Sequence, residues 1–229
     1  MLLASILATL TYLPNGIAEI HVRNPSKQDL IAYAVRYTTT SPESGSNILF
    51  VDPEVDSFFG VRTFPPHLKA SPIEPGQEFT FEPLIVIPRN RNGAPSKFDA
   101  NMITAGIYAD GTTEGDPVLL KSILTRRSNI LLTVDTILET LIDAGQRNQP
   151  RAQLINQFKN LANALHRWYV PVEQQVGRSL FQAYVGKLIN LPEQAIGEPF
   201  PPTAFIREET AELNRQRVRL LAAVSNTGK

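Results

Sequence analysis

Apolar residues recur at every second position up to about residue 110, and at every third or fourth position after residue 117. The first period belongs to a half-buried strand and the second to an amphipathic helix. A chain patterned this way folds as strands first and helices second. In "ILATLTYL", Ile6, Ala8, Leu10 and Tyr12 alternate with Leu7, Thr9, Thr11 and Leu13. The turn signal "PNG" follows, and Ala18, Ile20 and Val22 then alternate with Glu19, His21 and Arg23, which predicts a β-hairpin. "LIAYAVRYT" sets Ile31, Tyr33, Val35 and Tyr37 on one face. "SNILFVD" and "EFTFEPLIVIP" read as further strands, the second launched by the turn "EPGQ". "ANMITAGIYAD" sets Ile103, Ala105, Ile107 and Ala109 on one face. Eleven of the 18 prolines precede Asp99, mostly between these runs, where a residue that cannot donate to a ladder belongs. About six or seven strands in roughly 110 residues is the size of an Ig-like sandwich.

Beyond Pro117, residues Leu120, Ile123, Leu124, Arg127, Leu131, Val134, Ile137, Leu138 and Leu141 predict one long helix, ended by "GQRNQP". A second helix carries Leu154, Phe158, Leu161, Leu165 and Trp168, and a third carries Val172, Val176, Leu180, Tyr184, Leu188 and Ile189. After the proline-rich arm "LPEQAIGEPFPPT", a fourth starts near Phe205 with Leu213, Val218, Leu221 and Val224. The first helix, at about 1.5 Å per residue, is too long for a sandwich face to bury. The later helices are therefore expected to pack on it as an antiparallel bundle.

The join itself, "YADGTTEGDPVLLK", holds three carboxylates, Asp110, Glu114 and Asp116. Asp116 is placed as the N-cap of the long helix, with Pro117 in the first helical position. A calcium-loop reading fails at its twelfth position, where Lys121 stands in place of a bidentate Glu.

The chain has 229 residues, 42% hydrophobic and 19% charged, which is enough apolar material for a real core. Its formal net charge of zero argues against a protein whose task is to coat nucleic acid. The zero hides an asymmetry: 8 Lys and Arg against 13 Asp and Glu up to Asp116, then 14 against 9. Two docked elements of opposite sign, or a basic helical face for an acidic partner or membrane, would both produce it. With no cysteine, disulfides, thiol nucleophiles and thiolate metal sites are excluded. "MLLASILATLTYL" is too short to span a bilayer and lacks the positive start of a signal peptide. The chain is thus expected to begin inside a folded strand, with any export signal on a precursor that starts upstream.

Candidate sites are few. His21, His67 and His166 have no metal-binding spacing. "VDPEVDS" places Asp52, Glu54 and Asp56 at alternate positions, the weak candidates for a hard cation; a solvated acidic turn is the plainer reading. Phe58, Phe59 and Phe64 cluster in a proline-rich loop, as partner anchors or as a plug for the sandwich end. There is no nucleophile elbow, dinucleotide fingerprint or phosphate loop. No catalytic residue and no cofactor is therefore assigned.

The run "IHVRNPSKQDLIAYAVRY", in which a strand ends in Asn-x-Ser and the next begins Ile-x-Ala-Tyr, resembles the first hairpins of bacterial Ig-like sandwich domains of exported and envelope proteins. "PIEPGQEFTF" is similar to a later turn of such domains. "YADGTTEGDP" before a long helix resembles uncharacterised bacterial proteins that join the sandwich to a helical tail. The resemblance covers about the first 125 residues, and it implies the fold and an extracytoplasmic setting. A cytoplasmic one stays open.

The expected architecture is therefore α+β: an N-terminal antiparallel Ig-like β-sandwich over residues 1–114, then a C-terminal α-helical bundle over residues 117–229. The expected function is a non-enzymatic interaction or structural module of the bacterial cell envelope, with a protein partner. The alternative is an enzyme or small-molecule binder with its site where sandwich and helices join.

Overall fold

In the computed structural model, residues 6–13, 18–40, 47–50, 54–56, 60–61, 71–81, 100–166, 174–192 and 200–225 are described. Among them the chain forms nine strands: β1 (Leu7–Tyr12), β2 (Ala18–Arg23), β3 (Leu30–Thr40), β4 (Asn47–Phe50), β5 (Glu54–Asp56), β6 (Gly60–Val61), β7 (Glu78–Phe81), β8 (Ala100–Tyr108) and β9 (Thr113–Gly115). Four helices follow: α1 (Pro117–Arg147), α2 (Arg151–Ala164), α3 (Val176–Ile189) and α4 (Thr203–Ser225). The protein is a mixed α+β chain with antiparallel sheets first and helices second. It divides into two compact units, Met1–Ile123 and Leu124–Gly228.

The expected hairpin forms, with Leu10 opposite Ile20, and β2 pairs on its other side with β7. Ile20 and Val22 are fully buried while Leu7, Thr9, Thr11 and Arg23 face out, so the period of two sorts this sheet correctly. The second sheet runs in the order β6-β5-β3-β8-β9, with β4 also on β3, and all its pairs are antiparallel. Ile6, Ile20, Val22 and Phe81 on one side, and Leu30, Tyr33, Val35 and Tyr108 on the other, share one apolar cluster with Ile73. β3 departs from simple alternation, since Ala32 and Ala34 are buried as well as Tyr33 and Val35. A central strand covered on both faces loses the polar half of its pattern.

Two turns of the strand unit are tied by one side chain. Asn24, fully buried, donates from Nδ2 to the carbonyls of Gln28 and Ile73, each at 2.7 Å, and its Oδ1 accepts from the Ser26 amide at 3.0 Å. Its backbone pairs with the "EPGQ" turn: Asn24 N donates to Gln77 O at 3.0 Å and Gly76 N to Asn24 O at 2.8 Å. Gly76 has φ 75°, the left-handed conformation that this turn requires.

The join contains a strand that sequence patterning did not predict. β9 pairs with the end of β8, Gly115 opposite Ala105. Gly115 has φ 97°, and a Cβ there would stand 2.1 Å from Thr104 O, so only glycine lets β9 approach β8 this closely. Asp116 then caps α1: its Oδ1 accepts from the amides of Val118 and Leu119, both at 3.0 Å. Pro117 has no amide to leave unsatisfied.

In the helical unit, α2 buries Leu154, Phe158 and Ala162. Phe158 stacks on Tyr184 of α3 with ring centres 5.7 Å apart and lies 6.3 Å from Phe181. Thr133 of α1 closes on Gly177 of α3, where a Cβ would meet its Oγ1 at 2.3 Å. The first helix buries Ile130, Val134, Ile137, Leu138, Leu141 and Ala144, and Arg127 is fully buried among the charged residues. The stripe expected for α4 is corrected. Leu213 and Leu220 are buried, whereas Val218 is 65% exposed and Leu221 37%. A five-residue step from Leu213 to Val218 turns the side chain by about 140°, so the two cannot face the same neighbour. The seven-residue step to Leu220 brings it back.

Candidate interaction surface

The polar contacts between helices come from residues the sequence reading had placed in apolar stripes or passed over. Tyr184 donates to Glu209 Oε2 on α4 at 2.7 Å. Lys187, one turn along α3, donates to both oxygens of the same carboxylate at 2.9 and 2.7 Å and sits 4.7 Å from the Tyr184 ring centre. A tyrosine, a lysine and a carboxylate together resemble acid–base machinery. Burial, then the Glu209 carboxylate beside it, holds the Tyr184 hydroxyl above the usual tyrosine range, so it stays protonated and donates. The trio joins α3 to α4. A tyrosine in an apolar stripe needs a partner for its hydroxyl, and that requirement was the available signal.

Arg151, the first residue of α2, performs a similar structural task. Its guanidinium donates to the carbonyls of Leu188 (from Nε at 3.0 Å and Nη2 at 2.8 Å), Ile189 (2.6 Å) and Leu191 (2.6 Å). These carbonyls lie at and just past the end of α3, where helical partners run out and a cation is favoured. The Phe200 ring centre lies 5.7 Å from the guanidinium carbon.

The acidic join is three separate structural contacts. Asp110 accepts from the Thr112 hydroxyl at 2.7 Å and amide at 2.9 Å, which holds its carboxyl below the usual range. Glu114 accepts from the Ile6 amide at 2.5 Å, and Asp116 caps α1. Of the acidic candidates, Glu54 and Asp56 lie in β5 opposite Ala34 and Ala32. Asp52, Phe58, Phe59, Phe64 and His67 lie outside the described residues. Among the described residues no group of three or more His, Asp or Glu is arranged to hold a metal ion. His21 is a cross-strand contact, its Nδ1 2.9 Å from Glu78 Oε1 and 3.1 Å from the Thr80 hydroxyl. Among the described residues no helix is long and apolar enough to cross a membrane.

The outer face of α4 is different in kind. On a helix of about 3.6 residues per turn, Leu213, Arg217 and Leu220 share the inner side. Ala211, Val218 and Ala222 fall on the outer side with Leu221 between. Arg217 is held by Asp135 of α1 at 2.6 Å. Beyond the apolar strip, Arg215 pairs with Glu212 at 2.6 Å, which lowers the Glu212 pKa, and Arg219 is exposed. Val218, Leu221 and Ala222 thus form a narrow exposed strip with Arg215 and Arg219 along one border.

No protein-family model matches the chain, and no curated protein matches it.

Proposed function

We propose that this chain is a non-enzymatic interaction module: an Ig-like β-sandwich that carries a helical bundle, works in the bacterial cell envelope, and meets a protein partner through α4. The exposed strip carries this reading. Val218 is 65% exposed in a helix whose other face buries Leu213 and Leu220. Apolar centres with arginine at the rim are the composition that partner surfaces favour. The Tyr184–Lys187–Glu209 trio and the carboxylates of the join support the same reading, because each of these groups makes a structural contact.

A photo-reactive amino acid at position 218, introduced into the full chain in its native cell, tests this. A discrete adduct is expected from position 218 and none from the exposed Glu139 of α1. Equal labelling at both positions refutes the partner surface. Recovery of the chain only with cytosolic fractions refutes the envelope setting.

A further inference from the structure

One border of the α4 strip is ordered by charge along the helix. At about 100° per residue, Glu208, Glu212, Arg215 and Arg219 fall to the same side of Val218, within about 60° of one another. Both carboxylates stand in the first half of the helix and both guanidinium groups in the second. Glu208, Arg215 and Arg219 are exposed, and Glu212 is half-exposed. Glu209 and Arg217, by contrast, are used inside the helical unit, on Tyr184 and Lys187 of α3 and on Asp135 of α1. Within the border, Arg215 donates to Glu212 Oε2 from Nε at 3.0 Å and from Nη2 at 2.6 Å. An exposed pair so close in sequence adds little stability of its own.

We propose that α4 binds a second copy of this chain, helix against helix and antiparallel. The proposal rests on the reading of α4 as a partner surface and names the partner. Two equal helices packed face to face are related by a two-fold axis. If they run parallel, the axis lies along them and sets the charged border of one copy against the opposite border of the other, where Asn214 and Leu221 stand. If they run antiparallel, the axis crosses them, and each charged border meets its own copy in reversed order. Glu208 then lies level with Arg219 of the second copy, and Glu212 with Arg215 of the second copy. Both pairs centre on one point, between Leu213 and Asn214, and each forms twice. A foreign partner would have to match this order, whereas a second copy carries it already. The five donors of Arg215 allow it to keep its own Glu212 and reach Glu212 of the second copy. Along the strip, Ala204 comes level with Ala222 of the second copy, and Ala211 lies close to Val218 of the second copy. These small residues let the axes approach the lower end of the usual spacing of about 8–10 Å. On the opposite border, the stem of Arg207 covers Leu221 of the second copy. The strip from Ala204 to Ala222 is about 27 Å long and about 10 Å wide. That is about 300 Å² per copy, against about 800 Å² per partner in a stable interface. The pair is therefore weak, and salt screens its charges.

The test is sedimentation equilibrium of the purified full chain, from about 10 μM to about 1 mM. A monomer–dimer equilibrium is expected, weakened about tenfold or more when NaCl rises from about 50 to about 500 mM. Glu208→Arg with Glu212→Arg makes the border wholly basic, and Arg215→Glu with Arg219→Glu makes it wholly acidic. Each paired variant should stay monomeric alone, while an equimolar mixture of the two associates at least as tightly as wild type. Recovery in the mixture also shows that both variants fold. A photo-reactive amino acid at position 218 of the purified chain should join residues 208–211 of the second copy. No dimer at the highest concentration overturns the proposal. So do paired variants that dimerise alone, a mixture of folded variants that does not associate, or adducts that map near position 218 of the second copy, the mark of a parallel pair. In the native cell, an adduct with a different protein, combined with no dimer in solution, refutes self-pairing and leaves the partner surface standing. A dimer in solution with no adduct in the cell does the reverse.

Discussion

Asn24 is the most informative single residue of the strand unit to perturb. Truncation to alanine removes one buried bond, to Ile73 O, and two partly buried ones, to Gln28 O and from the Ser26 amide. A buried partner left unsatisfied costs about 1–3 kcal/mol and a part-solvated bond about 0.5–1.5, so Asn24→Ala should cost about 2–6 kcal/mol. Asn24→Asp keeps the shape and the acceptor for Ser26, but it turns a donor into an oxygen facing two carbonyl oxygens. It should therefore cost more than alanine near neutral pH and recover as acid protonates the new carboxyl. The backbone bonds from Asn24 to Gln77 and from Gly76 to Asn24 persist in every variant. The comparison thus isolates the side chain. Urea midpoints of the full chain give the magnitude, and hydrogen exchange at Ser26, Leu30 and Gly76 places the loss at the two turns. An alanine variant within about 0.5 kcal/mol of wild type, or an aspartate variant no worse than alanine, would refute the view that Asn24 ties them.

Asp116→Ala removes the cap of α1 and should cost about 1 kcal/mol; neither EDTA nor calcium should shift the melting temperature, and a fall of several degrees with EDTA would revive a metal loop. Arg151→Ala should cost about 2–4 kcal/mol, because charged hydrogen bonds to the end of α3 are lost; Arg151→Lys should recover only part of this, having a single point of attachment in place of a planar fork, and thermal unfolding by circular dichroism measures both. The hydroxyls of Tyr33, Tyr108 and Tyr184 are all held above the usual tyrosine value, in each case first by burial. Their folded state retains the proton, so the stability they confer is complete below pH about 10 and is lost as pH rises through the folded values. Urea midpoints should fall in alkali, less steeply for Tyr184→Phe, and equal slopes would contradict this.

What the sequence made legible was local. Asp116 and Pro117 adjoin the helix they start, so capping rules reach them directly. The hairpin of β1 and β2 was readable because one face is buried and the other wet. β9 was not, since Thr-Glu-Gly has no strand pattern and its pairing depends on a glycine fitting against Thr104, which lies eleven positions earlier. Asn24 looked like an ordinary turn residue, because its partner Ile73 is 49 positions away. In α4 the apolar residues were seen but joined with the wrong step, and the error hid the exposed strip.

The bond from the Ile6 amide to Glu114 spans 108 positions. A ribosome that adds about 5–20 residues per second needs roughly 5–20 s to travel that far. For that interval the first strand has emerged while the residue that fastens its start has yet to be made. Its apolar side, Ile6, Ala8 and Leu10, waits without a lasting cover. Strand pairings of such long range are slow to form, so the nascent strand unit stays open until Gly115 and the first turn of α1 clear the exit tunnel. Synthesis of the long helix is then the step that lets the sheets close, and the window for chaperone binding to the strand unit lies before residue 116 is made.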